Sequence, residues 1–466
     1  MVFSSIVFLF KYLPIVLAVY YIVPAKWRNV WLFIVNLVFY GWGEPVYILL
    51  MLFSIAVNYA NGLFIAKYRE NSRNTAKNIL ILNIVINLAL LIFFKYYDLL
   101  AETLSMLPGI SIKALGLGLP IGISFYTFQA MSYPIDVYRG DTEAQRNPVL
   151  FGTYISLFPQ LIAGPIVRYK DVAEQLSSRT HSVDKFSSGV CRFTVGLGKK
   201  VLIANNIGAL WDIYAVKGAA DLTVLGSWMG IIAFTLQIYF DFSGYSDMAI
   251  GLGRMLGFEF LENFNYPYIS KSVTEFWRRW HISLGTWFRD YVYIPLGGNR
   301  RGLKRQLLNI LIVWALTGIW HGANWTFLVW GLYYALFLVI EKTFLLKALD
   351  KVPSFFRHLY TMLVVTCGWA IFQLDSMKAV WTYFKAMFGG GAAGLYVSGD
   401  IYYLASFAVI IILAALFSTD ILKKLWSGIP RRITKILCPV GIICILVLST
   451  AYLVDSTYNP FLYFRF

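Results

Sequence analysis

Two of the chain's four histidines, His281 and His321, lie in one stretch, each beside a tryptophan. EFWRRWHISLGTWFRDYVYIPLGGNRRG opens that stretch and IWHGANW closes it. A neutral imidazole can take the proton from a hydroxyl, and burial favours the neutral form, so a histidine held away from water is a candidate general base. His321 falls inside an apolar run long enough to enter a bilayer. An ionisable side chain at that depth is expensive and by default marks function. Asn324, or a nearby backbone N–H, could donate to an oxyanion developing on a carbonyl. His281 stands among Trp277, Arg278, Arg279, Trp280 and Arg289. Guanidinium groups grip phosphates through charge-assisted bonds, so these residues are a candidate mouth for a nucleotide-bearing donor. The plainer reading of the same charges is membrane topology and attraction to anionic lipid head groups. Either histidine could also be a satisfied core side chain, a reading that suits His281 at the rim better than His321. His181 and His358 sit in no comparable setting and read as surface or interface residues.

The elements that must position these residues are membrane spans. Of 466 residues 59% are hydrophobic and 14% charged, with mean hydropathy +0.64, against about 25% charged in soluble domains. The net charge of +16 comes from Lys and Arg clustered at the ends of apolar runs. The positive-inside rule explains that pattern without nucleic acid as a partner. The four cysteines have neither disulfide nor metal spacing. The segment Phe3 to Val23 lacks a small-residue cleavage site and reads as a span. Basic loops at Lys26–Arg28 and Lys67–Lys77 fall on one side, which places the N-terminus outside and the loops in the cytoplasm.

Two regions, 115–141 and 155–171, are apolar but broken by glycine and proline and carry Ser124, Gln129, Ser132 and Gln160. They read either as re-entrant segments lining a cavity or as spans kinked by proline. The segment 185–200 is basic and amphipathic, and 377–388 is a second surface helix. Asp241 and Asp247 could form an acid/base pair, but a membrane–cytosol boundary suits their aromatic and glycine neighbours better. The run 307–340 is too long for one span of about 20 residues, and a break at 318–324 would place His321 at the join. The expected fold is an all-α polytopic membrane protein with roughly ten to twelve membrane-entering helices by the length rule. It is expected as a single domain over 1–466: N-terminal spans 1–98, a core 115–345 with broken helices and a cytoplasmic loop, C-terminal spans 355–454 and an aromatic tail 455–466.

WRRWHISLGTWFRDYVYIPLGGNR followed by GIWHGANWTFLVWG resembles the membrane-bound O-acyltransferase (MBOAT) family, in particular the bacterial branch that O-acetylates exported polysaccharides. LPIGISFYTFQAMSYPIDVYRG and FPQLIAGPIVRY are similar to that branch too, so the resemblance covers most of the chain. It implies a helical ring around a thin central funnel in the bacterial cytoplasmic membrane, with His321 as catalytic histidine and His281 as the second histidine. The implied donor is acetyl-CoA or another acyl thioester, bound as substrate from the cytoplasm, with no permanently held cofactor and no metal. The implied partners are membrane lipids, small membrane subunits and an extracytoplasmic SGNH-type acyltransferase that completes transfer onto polymer. Alternatives are a D-alanyl transferase for teichoic acids fed by a carrier protein, a lipid acyltransferase, and a transporter. The transporter would spread polar residues along several spans or show repeated halves, whereas here they gather near His321 and the broken segments. The tail, FLYFRF, would emerge outside with the C-terminus. It reads as an interfacial aromatic anchor or as a relay in which Tyr463 receives the acyl group transiently. Related acyl-transfer systems carry a similar aromatic signature.

Overall fold

The computed structural model describes residues 1–218, 220–391, 393–455 and 461–462. Tyr463, the proposed relay residue, lies outside them. Helix is the only regular structure among the described residues, as expected of a chain whose backbone must satisfy its own hydrogen bonds in lipid. Among the described residues, seven helices are long and apolar enough to cross a membrane, and Phe8–Ile22 is a shorter apolar one. Ten to twelve membrane-entering helices were expected. The remaining apolar runs form shorter or less hydrophobic helices, such as Arg28–Gly43, Ile123–Arg139 and Gly302–His321. Several spans bare apolar side chains along their length, among them Val409, Ile412 and Val447, as hydrocarbon-facing helices do.

The chain divides into two compact units, Met1–Thr194 with Tyr245–Leu261, and Val195–Gly244 with Glu262–Phe466. In the first, polar residues inside apolar helices bond across helices, the interaction that substitutes for hydrophobic pairing in lipid. Asn58 and Asn87 exchange amide bonds of 3.0 and 3.1 Å, and buried Lys95 donates to Ser124 at 3.2 Å. The glycine- and proline-broken segments also belong here. Gly122, at φ 75°, starts the helix Ile123–Arg139, which accommodates Pro134. Pro148–Ser156 and Phe158–Leu161 are short helices separated at Leu157. Gln129 and Gln160 both donate to the Tyr154 carbonyl at 2.8 Å, which joins the two broken segments.

In the second unit the run 302–340 folds as a hairpin, Gly302–His321 and Trp325–Ile340, with the break where the sequence placed it. Its helices touch backbone to backbone at Gly318 and Gly331, where a Cβ on either would collide with the facing chain. Short helices, Val273–Arg279 and Ile282–Phe288, then a π-helical turn, Arg289–Tyr293, carry the basic aromatic segment. They pack on an aromatic cluster: Trp277 meets Trp314 at 4.6 Å and Tyr334 at 4.7 Å, and Trp280 meets Trp369 at 4.8 Å. Each such pair adds about 0.5–1.5 kcal/mol beyond area burial.

The helix Val224–Met255, itself long and apolar enough to cross a membrane, carries Asp241 and Asp247. Phe242 and Tyr245 after Phe240 are buried, and both aspartates are in ion pairs. Asp247 meets Arg192 at 2.6 Å and Asp241 meets Lys200 at 2.5 Å.

Candidate active site

A cavity of about 240 Å³ opens in the second unit, and both histidines line it. Its wall includes Trp277, Trp280, His281, Arg289, Trp314 and His321. His321 is the last residue of Gly302–His321, and that chain end is why it can face a space at all. Its ring stands edge-on to Trp330 at 4.9 Å and to Phe372 at 5.3 Å, so aromatic walls fix its plane while one edge meets the cavity.

His281 is placed differently. It joins the two short helices in the left-handed conformation, at φ 45°, a region that non-glycine residues seldom adopt. Asn263 accounts for that turn. Its Oδ1 accepts from the Ser283 backbone N–H at 3.1 Å and from the Ser283 hydroxyl at 2.9 Å, and stands 3.1 Å from His281 Nδ1. An oxygen that accepts from a backbone N–H is an acceptor towards the imidazole as well, so Nδ1 carries the proton and Nε2 the lone pair. Burial pushes the His281 imidazole down to about 3, which keeps it neutral. Phe242 stands edge-on to the ring at 4.8 Å.

The expected donor mouth is only partly assembled. Trp277, Trp280 and Arg289 line the cavity, and Arg289 is largely exposed at its rim beside Asp290, 2.8 Å away. Arg278 is exposed and not on the wall. Arg279 is held by Glu275 at 2.9 Å and by the Asn265 carbonyl at 3.1 Å. Asn324 caps the helix Trp325–Ile340: its Oδ1 accepts from the Thr326 N–H at 3.0 Å and its Nδ2 donates to the Asp375 carbonyl at 2.7 Å. Both ends of that amide hold the chain break open, and the residue is not on the cavity wall. His181 bonds the Tyr20 hydroxyl at 2.9 Å and His358 the Ser270 carbonyl at 3.2 Å, both as packing residues.

Two supporting residues were not singled out in the sequence. Asn263 is an ordinary residue in a polar loop until the fold brings it under His281. Glu341 ends a long apolar helix, and its buried carboxylate accepts from the backbone N–H groups of Val273 and Thr274 at 2.7 and 2.8 Å. It also takes the Thr274 hydroxyl at 2.6 Å and the Tyr360 hydroxyl at 3.2 Å. It thereby fixes the start of the helix that delivers Trp277, Trp280 and His281. A carboxylate in an apolar run was the available clue.

Two buried imidazoles, one of them neutral with a defined lone pair, and an arginine at the rim suit proton transfer to or from a hydroxyl beside an anionic donor. Comparison with known proteins gives the same class. The model of the membrane-bound O-acyltransferase family matches residues 145–372. The chain is 46% identical over 399 residues to the probable alginate O-acetylase AlgI of Pseudomonas aeruginosa, covering 84% of this chain and 75% of that one. It is 32% identical to the peptidoglycan O-acetyltransferase of Helicobacter pylori, over 84% and 80%. It is 27% identical to the teichoic acid D-alanyltransferase of Bacillus subtilis, over 48% and 59%. The chain belongs to the membrane-bound O-acyltransferase family and is a multi-pass O-acyltransferase.

Proposed function

We propose that this enzyme moves an acetyl group from a cytoplasmic thioester, acetyl-CoA, across the cytoplasmic membrane towards hydroxyls of an exported cell-surface polysaccharide. An extracytoplasmic SGNH-type partner completes the transfer. The observation that carries the reading is that His281 and His321, from separate chain segments, line one cavity with an exposed arginine at its rim. Similarity to acetylases over most of the chain favours acetyl over D-alanyl, which rests on about half of it.

In this reading His321 is the general base. It takes the proton from the acceptor hydroxyl as the oxygen attacks the thioester carbonyl, the C–S bond breaks, and the imidazolium returns that proton to the departing thiolate. His281 orients: with Nδ1–H turned to Asn263, its Nε2 accepts a bond from an amide N–H or hydroxyl of the bound donor. Arg289 meets the donor's phosphates, while Trp277 and Trp280 exclude water behind its acyl end. Tyr463 is the first acceptor in the relay form of the reading, its phenol carrying the acetyl to the partner.

The test is transfer of radiolabelled acetyl from acetyl-CoA in inverted vesicles. His321→Ala should lower it by about 10²–10⁴-fold, the range for loss of a positioned base, with normal membrane insertion. A folded, inserted variant transferring at the parent rate would remove His321 from the chemistry. Tyr463→Phe retaining full polymer acetylation would remove the relay.

A further inference from the structure

The buried ion pair Lys200–Asp241 takes no part in the cavity, and nothing in the acyl transfer described above uses it. Lys200 and Asp241 are each 2% exposed. Burying two charges costs several kcal/mol per ion and is repaid only when the remaining lone pairs and protons are also satisfied. One Asp241 oxygen meets Lys200 Nζ at 2.5 Å. The other accepts from the backbone N–H of Leu462 at 2.9 Å. Lys200 Nζ stands 4.8 Å from the centre of the Phe461 ring, which is itself 1% exposed. Leu462 and Phe461 therefore supply both halves of the pair with a partner, a hydrogen bond for the anion and a ring face for the cation.

The surroundings are built for this. Lys200 lies in a π-helical turn, Lys199–Ala204, and Gly244 lets that turn approach the helix Val224–Met255, leaving no room for a Cβ beside Gly196 O and Lys200 N. Gly198 in turn accepts Ile445 of the last helix, Arg431–Asp455, at close range. The helix that precedes the tail is thus already alongside the turn that carries Lys200.

We propose that Lys200 and Asp241 are a dock for the chain's own aromatic tail, which seats Phe461 and Leu462 inside the protein instead of in the lipid interface. The dock lies one residue along the helix from Phe242, whose ring packs on His281. Tyr463 follows Leu462 directly in sequence, so on the relay reading above the dock sets where its phenol is presented. The docking itself does not depend on that reading.

The direct test places the photo-crosslinker p-benzoylphenylalanine at Phe461 in the full-length protein in native membranes. The expected adducts lie on the peptides carrying Lys200 and Asp241, and they disappear in a Lys200→Met, Asp241→Leu double variant, which removes both charges and leaves neither buried alone. Adducts only on lipid, or adducts unchanged in the double variant, overturn the dock. A second arm compares Leu462→Pro, which deletes the N–H, with Leu462→Ala, which keeps it. On the relay reading the proline variant loses at least tenfold in acetyl transfer to polymer and the alanine variant does not. If adducts form at the dock while transfer by Leu462→Pro is normal, the dock stands and the relay falls.

Discussion

His281 is kept neutral by burial and kept in one tautomer by Asn263, so its chemistry is set by neighbours instead of by the pH of the medium. The folded state leaves the ring unprotonated down to about 3, whereas in the unfolded chain it binds a proton near 6.5. Its contribution to stability is therefore complete above pH 6.5 and declines as pH falls towards 3, by about 1.4 kcal/mol per unit. His281→Gln should flatten the fall in thermal unfolding midpoint between pH 7.5 and 5 relative to the parent; equal slopes in the two proteins would contradict the burial argument. His321 was legible because a charge-capable side chain is rare in an apolar run, and His281 because it stands beside a tryptophan among arginines in the same stretch. Asn324 was read from the same motif as a helper in the chemistry, but an asparagine just ahead of an apolar run is also a helix-cap signal. The structure uses it as the cap.

Short helices that carry a site need an outside hold, since a helix of this length has little stability of its own. Glu341 supplies one for Val273–Arg279 through its bonds to two backbone N–H groups and two hydroxyls. Bonds to a charged group are worth about 1.5–3 kcal/mol each, so Glu341→Ala should destabilise by at least about 3 kcal/mol in denaturant titration. It should also lower acetyl transfer more than tenfold. Glu341→Gln, which keeps an acceptor oxygen, should recover part of both, and full activity in the alanine variant would show that the helix start needs no anchor. At the hairpin, Gly318→Ala must push Trp325–Ile340 away from Gly302–His321 and displace His321. We expect transfer to fall at least tenfold while the protein still inserts, measured in the same vesicle assay; unchanged transfer would mean the helix contact does not set the imidazole. The hairpin break was legible from Gly318, Gly322 and Asn324. Glu341 was not, because what it holds lies some seventy residues earlier in the chain.

On the scale of the whole chain, hydropathy was enough to read an all-α polytopic membrane protein, and the later half of the helix Val224–Met255 is apolar and aromatic because it is buried. Its aspartates were rightly read as structural, although the partners Arg192 and Lys200 could be named only once the fold was in hand. On the positive-inside rule the loop around Ser72 is expected in the cytoplasm and the loop around Ser111 outside. In a cysteine-free background, Ser111→Cys should react with an impermeant maleimide on intact cells and Ser72→Cys only after permeabilisation; the reverse pattern would invert the orientation.

Three of the four π-helical turns among the described residues, Lys199–Ala204, Arg289–Tyr293 and Glu341–Leu345, carry Lys200, Arg289 and Glu341. Each is a widened coil that accommodates one surplus residue. Excising any single residue from such a coil would leave hydropathy and bulk almost untouched, yet restore regular winding and swing everything beyond it by about 100° around the axis. In this molecule the spacing between residues is under as much constraint as their identity, and phase errors at three points would each turn a charged group away from its work.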